Sequence, residues 1–92
     1  MRTPEVFEAV AAVRGEPWER CGLRRGDWAR PMAMWILRRS GGLTLREIGV
    51  AMGGMDYAGV SMALKRFEQR LDESPKLRSA RHRTIEMLNV KT

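Results

Sequence analysis

The chain has 92 residues, enough for one domain with a modest core. Apolar residues make up 43% of it, and 17 Lys and Arg against 11 Asp and Glu leave a formal charge of +6. That balance favours a polyanionic partner, nucleic acid being the commonest, while the single cysteine, Cys21, excludes an internal disulfide and with it a disulfide-stapled scaffold.

The first predicted helix spans residues 3–14. Thr3 is read as its N-cap and Pro4 as its first helical residue, where a missing N–H costs nothing. Val6, Val10 and Val13 share one face, and Gly15 stops the helix. Residues 16–26 read as an irregular connector punctuated by Pro17, Gly22 and Gly26, with Trp18 and Leu23 expected to anchor it to the core.

A second helix is predicted over 28–39, with Pro31 confined to its first turn because a proline deeper inside would break it. Residues 32–37 are apolar nearly all round, as in a buried central helix. They form the longest apolar run, far short of the roughly 20 residues a membrane span needs. The N-terminus lacks a signal-peptide pattern, because acids and Arg interrupt its hydrophobic stretch. The expected location is the cytoplasm, with no membrane partner.

Gly41 and Gly42 end the second helix, and Thr44-Leu45-Arg46-Glu47 then spells a capping box. It opens a short helix over 44–52 with Leu45, Ile48 and Met52 inward. Gly53-Gly54 make the turn, and Asp56 caps a fourth helix over 56–72. Val60, Ala63, Leu64, Phe67 and Leu71 recur there at spacings of three and four, opposite a polar, basic side with Tyr57, Ser61, Lys65, Arg66 and Gln69. Ser74 and Pro75 start a fifth helix over 75–89, with Leu77, Ala80, Thr84 and Leu88 inward and Arg78, Arg81 and Arg83 outside. No strand pattern or internal repeat is present, so the predicted fold is all-α: one five-helix domain around a helix-turn-helix at 44–72.

A capped short helix, a glycine turn and a longer amphipathic helix have the layout of a helix-turn-helix, whose second helix enters the DNA major groove. Helix pairs are common, and a charged helix face is most often merely solvated, so layout and charge alone do not decide. The residues themselves add more. Met32-Ala33-Met34, Leu43-Thr44-Leu45-Arg46-Glu47-Ile48-Gly49 and Ala51-Met52-Gly53-Gly54-Met55-Asp56, with Val60, Ala63 and Phe67 beyond, carry a resemblance in which the spacing between blocks matches without a gap. This stretch resembles the C-terminal DNA-binding domain of the bacterial replication initiator DnaA. The resemblance covers a little under half the chain and implies that fold and binding of double-stranded DNA.

The departures are as informative. The family places a basic residue, an acid and then His-Thr-Thr-Val at the start of its recognition helix; here stand Met55, Asp56, Tyr57, Ala58, Gly59 and Val60. The acid and valine survive, and the base-reading side chains are gone, which argues against the replication-origin box as target. The pattern from Gly53 to Ser61, followed by Arg66-Phe67-Glu68, looks closer to the DnaA-like module attached to proteins related to the REP-associated tyrosine transposases. That likeness implies a targeting or auxiliary DNA-binding segment.

The candidate DNA-contacting residues follow. Arg30 matches the family's minor-groove arginine, attracted there by the groove's negative potential; its plain reading is a surface cation. Arg46, Lys65 and Arg66 are candidates for phosphates. Asp56 is first a helix cap, with acceptance from a cytosine amino group a secondary use. Tyr57 can reach a phosphate or shield the core's edge. Ala58 offers a methyl to thymine, Gly59 a close backbone approach, and Ser61 a hydroxyl to base or phosphate. The tryptophans Trp18, Trp28 and Trp35 are read as packing residues in preference to platforms for unpaired bases.

Catalysis is not expected. His82 is the only histidine and Cys21 the only cysteine, too few for the usual metal site or acid–base pair. No phosphate-cradling Gly-x-x-x-x-Gly-Lys occurs, so no cofactor or metal is assigned. Two other readings compete: a protein-interaction module that keeps the helix-turn-helix scaffold, recommended by Met55 and Met62, and a stand-alone regulator related to the initiator domain.

Overall fold

The structure is a computed structural model and describes residues 2–90. Six helices, and no strand, occur among them: α1 Thr3–Arg14, α2 Trp18–Cys21, α3 Ala29–Arg39, α4 Leu45–Ala51, α5 Tyr57–Glu73 and α6 Pro75–Val90. The sixth element not expected from sequence is α2, a single turn set between Pro17 and the Gly22 cap inside the supposed irregular connector.

The apolar period of α1 buries Val6, Ala9 and Val10, and Gly15 caps it with a positive φ. Its N-cap is Arg2, with Thr3 already helical and no side-chain cap, so the expected Thr3 cap is corrected. Proline is tolerated one place further in because the first N–H groups of a helix have no intrahelical acceptor. Helix α3 is the centre of the molecule, packed against α1, α4 and α5. Met32, Ala33, Met34, Ile36 and Leu37 are all buried, as their nearly uninterrupted apolar run requires. Pro31 lies in the first turn of α3, where it breaks no backbone bond.

Helix α6 closes the domain against α1 and α5, burying Leu77, Ala80, Thr84 and Leu88. The Ser74 hydroxyl accepts from the Leu77 N–H at 3.2 Å, and the buried Thr84 hydroxyl donates to the Ala80 carbonyl at 2.8 Å. No buried side-chain polar atom among the described residues lacks a partner, which removes the main cost of burying such groups.

Two expectations for the periphery are corrected. Leu23 is 67% exposed and anchors nothing, because the 22–28 loop is held by ion pairs instead. Arg81 is half-buried rather than outside, its guanidinium 5.1 Å from the Trp35 ring centroid.

Candidate nucleic-acid interface

The α4–α5 pair is fixed by side chains that satisfy its free backbone ends. Thr44 Oγ1 accepts from the Glu47 N–H at 3.1 Å, and Glu47 Oε1 accepts from the Thr44 N–H at 2.9 Å. Thr44, through its backbone N–H first and its hydroxyl second, holds the Glu47 carboxyl below its ordinary value. After Ala51 the chain reverses through Gly53 and Gly54, both at positive φ, 90° and 104°. The N–H groups of Gly54 and Met55 both donate to the Gly49 carbonyl, at 2.9 and 3.0 Å. Asp56 Oδ1 then accepts from the Gly59 N–H at 2.7 Å and starts α5.

The turn closes so tightly that a Cβ built on Gly49 would lie 2.1 Å from the Met55 carbonyl oxygen. This glycine is what lets α4 and α5 meet at the observed separation. Val60, Phe67 and Leu71 of α5 are buried beneath the pair, so the opposite side of α5 faces solvent.

On that solvent side the structure brings several of the sequence-predicted residues together. Tyr57, Ala58 and Lys65 are exposed, while Gly59 and Ser61 are half-buried beside them. Arg46, exposed on α4, lies over the Tyr57 ring at 5.4 Å from its centroid. Val50 and Met62 add exposed apolar surface. Among the described residues neither Arg46 nor Lys65 has a carboxylate partner, and α5 carries no acid before Glu68. Glu68 itself is occupied by Arg39 at 2.8 Å.

Three predicted residues have other surroundings. The half-buried Arg30 donates to the Gly22 carbonyl at 3.4 Å and the Met52 carbonyl at 3.2 Å, so it ties α3 to the turn of the pair. Arg66 is exposed on the flank of α5, where it lines a cleft with Arg25, Arg30 and Arg70. A Cβ on Gly59 would sit 3.1 Å from Asp56 Oδ1, so this glycine also spares the cap from crowding.

All three tryptophans have intramolecular partners. Trp18 stacks on Phe7 with centroids 4.2 Å apart, Trp28 faces Arg14, and Trp35 faces both Arg39 and Arg81. Sequence reading missed Asp27, which is buried and accepts from the Ala29 N–H at 2.9 Å and from Arg14 and Arg24. Burial alone would raise its carboxyl, but these donors outweigh it and hold it below the ordinary carboxylate value. The only available signal was the acid two residues before the start of α3, placed to cap it.

His82 lies exposed and pairs with Glu86 one turn on. No group of three or more His, Cys, Asp or Glu among the described residues is placed to hold a metal ion. No helix among them is long and apolar enough to cross a membrane. No family model, no curated protein and no solved structure matches this chain.

Proposed function

We propose that the chain is a double-stranded-DNA-binding module, non-enzymatic in itself, which uses α4 and α5 as a helix-turn-helix and lays the first turns of α5 in the major groove. The observation that carries this reading is the solvent side of α5 from Tyr57 to Arg66. It is outward-facing, free of carboxylates and flanked by Arg46, in a chain of formal charge +6. A polyanion approaching there meets the cations Arg46 and Lys65, while the exposed carboxylates closest in sequence, Glu47 and Asp56, each accept from a backbone N–H as helix caps.

Roles follow from position. Arg46 and Lys65 contact phosphates on either side of the groove, and Tyr57, held by Arg46, meets the sugar-phosphate edge. Ala58 and Ser61 face base edges. Arg30 stands on the flank beside the turn, where its family counterpart reaches the minor groove, and Arg66 supports the same flank. With few directional base contacts, affinity comes mainly from phosphates and shape. The resemblance to the DnaA C-terminal domain, and to its transposase-associated version, supports a targeting or auxiliary role for such a module.

The test is fluorescence anisotropy with a mixed-sequence duplex and its single strand at low and physiological salt. Duplex binding that weakens by about fivefold or more in both Arg46→Ala and Lys65→Ala is expected, since each phosphate contact contributes of order 1 kcal/mol. Equal affinity for both strand forms, or indifference to both substitutions, contradicts the reading. A second reading rests on the exposure of Val50, Tyr57 and Met62 together on the pair: this face docks another protein. Binding that resists salt and excludes duplex would favour it.

A further inference from the structure

Behind the flank of α5 lies a cleft of about 740 Å³ that the DNA reading does not use as a whole. Three stretches build it: the 22–28 loop running into the first turns of α3, the turn between α4 and α5, and the flank of α5. Its floor is apolar. Met34 and Phe67 form the buried base, half-buried Pro31, Met55 and Ala63 the accessible surface, and Leu23 stands 67% exposed at the lip.

The rim has one sign. Five arginines line the cleft against the single acid Asp27, and that acid is already neutralised by Arg14 and Arg24. Arg25, Arg66 and Arg70 have no carboxylate partner among the described residues. A wall of unpaired guanidiniums around a thioether- and ring-lined floor asks for two things at once from its ligand. It must bring carboxylates to the rim and bulky apolar side chains to the floor.

We propose that this cleft is a docking groove for an acidic amphipathic helix of a partner protein, with leucine-like side chains on one face and Asp or Glu beside them. Duplex DNA brings the charge but has no aliphatic side chains for the floor. A helix of that composition satisfies both, as amphipathic helices do in methionine-lined grooves. Guanidiniums pair with carboxylates in fork geometry, which sets the orientation of the helix as well as its affinity. The cleft shares Arg30 and Arg66 with the DNA reading, but Arg46, Lys65 and Tyr57 do not line it, so the two can be tested separately.

The test uses the intact chain and a fluorescein-labelled peptide with Leu at positions i, i+3, i+4 and i+7 and Glu between them. A composition-matched scramble and vesicles of mixed phosphatidylserine and phosphatidylcholine serve as competitors. Saturable binding, at least tenfold tighter than the scramble, is expected. The double variant Arg25→Glu/Arg70→Glu should weaken it by at least about tenfold, because like charges then face the peptide. The variant Leu23→Ser should weaken it by a smaller factor, and Arg46→Ala/Lys65→Ala should leave it unchanged while lowering duplex affinity. Circular dichroism and thermal melting establish that each variant is folded. Equal binding of the scramble, no saturable binding, undiminished binding by the folded double variant, or preferential capture by vesicles each overturns the proposal. So does a double variant that loses duplex affinity while the parent never binds the peptide; that result would assign the rim to DNA.

Discussion

Single residues in the α4–α5 turn carry opposite kinds of constraint. Gly49 is buried and faces the Met55 carbonyl, with no room for even a methyl group. Backbone cannot retreat as a side-chain tip can, so Gly49→Ala should destabilise the fold by about 3 kcal/mol, the upper range for overpacking. Urea denaturation checks this, and a loss under about 1 kcal/mol would mean that the turn relaxes freely. At Gly59 the obstacle is only the Asp56 carboxylate at 3.1 Å, a surface side chain able to swing away. The helix-propensity gain of Ala, roughly 1 kcal/mol, is offset by partial loss of a cap of similar worth. Gly59→Ala should therefore change stability by less than about 0.5 kcal/mol. Duplex affinity should nonetheless fall if the α5 backbone lies against DNA, and unchanged affinity in the stable variant would remove Gly59 from the interface.

At the scale of elements, the sequence was most readable where period and caps coincide. The ends of α4, α5 and α6 follow from Thr44, Asp56 and Ser74, each bonded as its residue type suggests. Helix α2 was hidden because four residues between a proline and a glycine contain no readable period. The cleft was hidden for a different reason: its walls come from segments far apart along the chain. The loop before α3 was misjudged because an apolar Leu23 draws attention, whereas its order comes from Asp27, Arg14, Arg24 and Glu16. That network has a pH signature. Its Asp27 carboxyl lies below the ordinary value of 3.8, so the unfolded chain takes up that proton first on acidification. The stabilisation is whole above 3.8 and is lost as pH falls from there through the lower native value. Asp27→Asn should cost about 2 kcal/mol at pH 7, less than a fully buried pair would because both arginines reach solvent. The gap to the parent should close in strong acid; a gap independent of pH would show that the charge is immaterial.

For the molecule as a whole, the issue is how a charge of +6 is distributed. Of the 17 Lys and Arg, several are engaged internally: Arg14 and Arg24 with Asp27, Arg39 with Glu68, Arg30 and Arg38 with backbone carbonyls. Among the described residues, the cations without a carboxylate partner at the proposed groove face are Arg46, Lys65 and, on its flank, Arg66, with Arg70 one turn further along α5 in the cleft. Released counterions scale with phosphates neutralised, so the logarithm of duplex affinity should fall with the logarithm of salt at a slope of about −3, or about 0.9 per contact. Removing Arg46 or Lys65 should each flatten that slope by about 0.9. The full formal charge would instead give a slope nearer −5 and little response to any one substitution, the mark of diffuse attraction without a docked face. The same reasoning limits specificity. A bidentate base contact supplies about 1–3 kcal/mol of discrimination, and the start of α5 offers hydrogen-bonding side chains only at Tyr57, half-buried Ser61 and Asp56, the last already bonded to the Gly59 N–H. Selection from random duplexes should thus return a short, degenerate preference governed by groove shape. A long, sharp consensus would require base readers beyond these, and the cleft-side arginines Arg25 and Arg70 would then be the first to substitute.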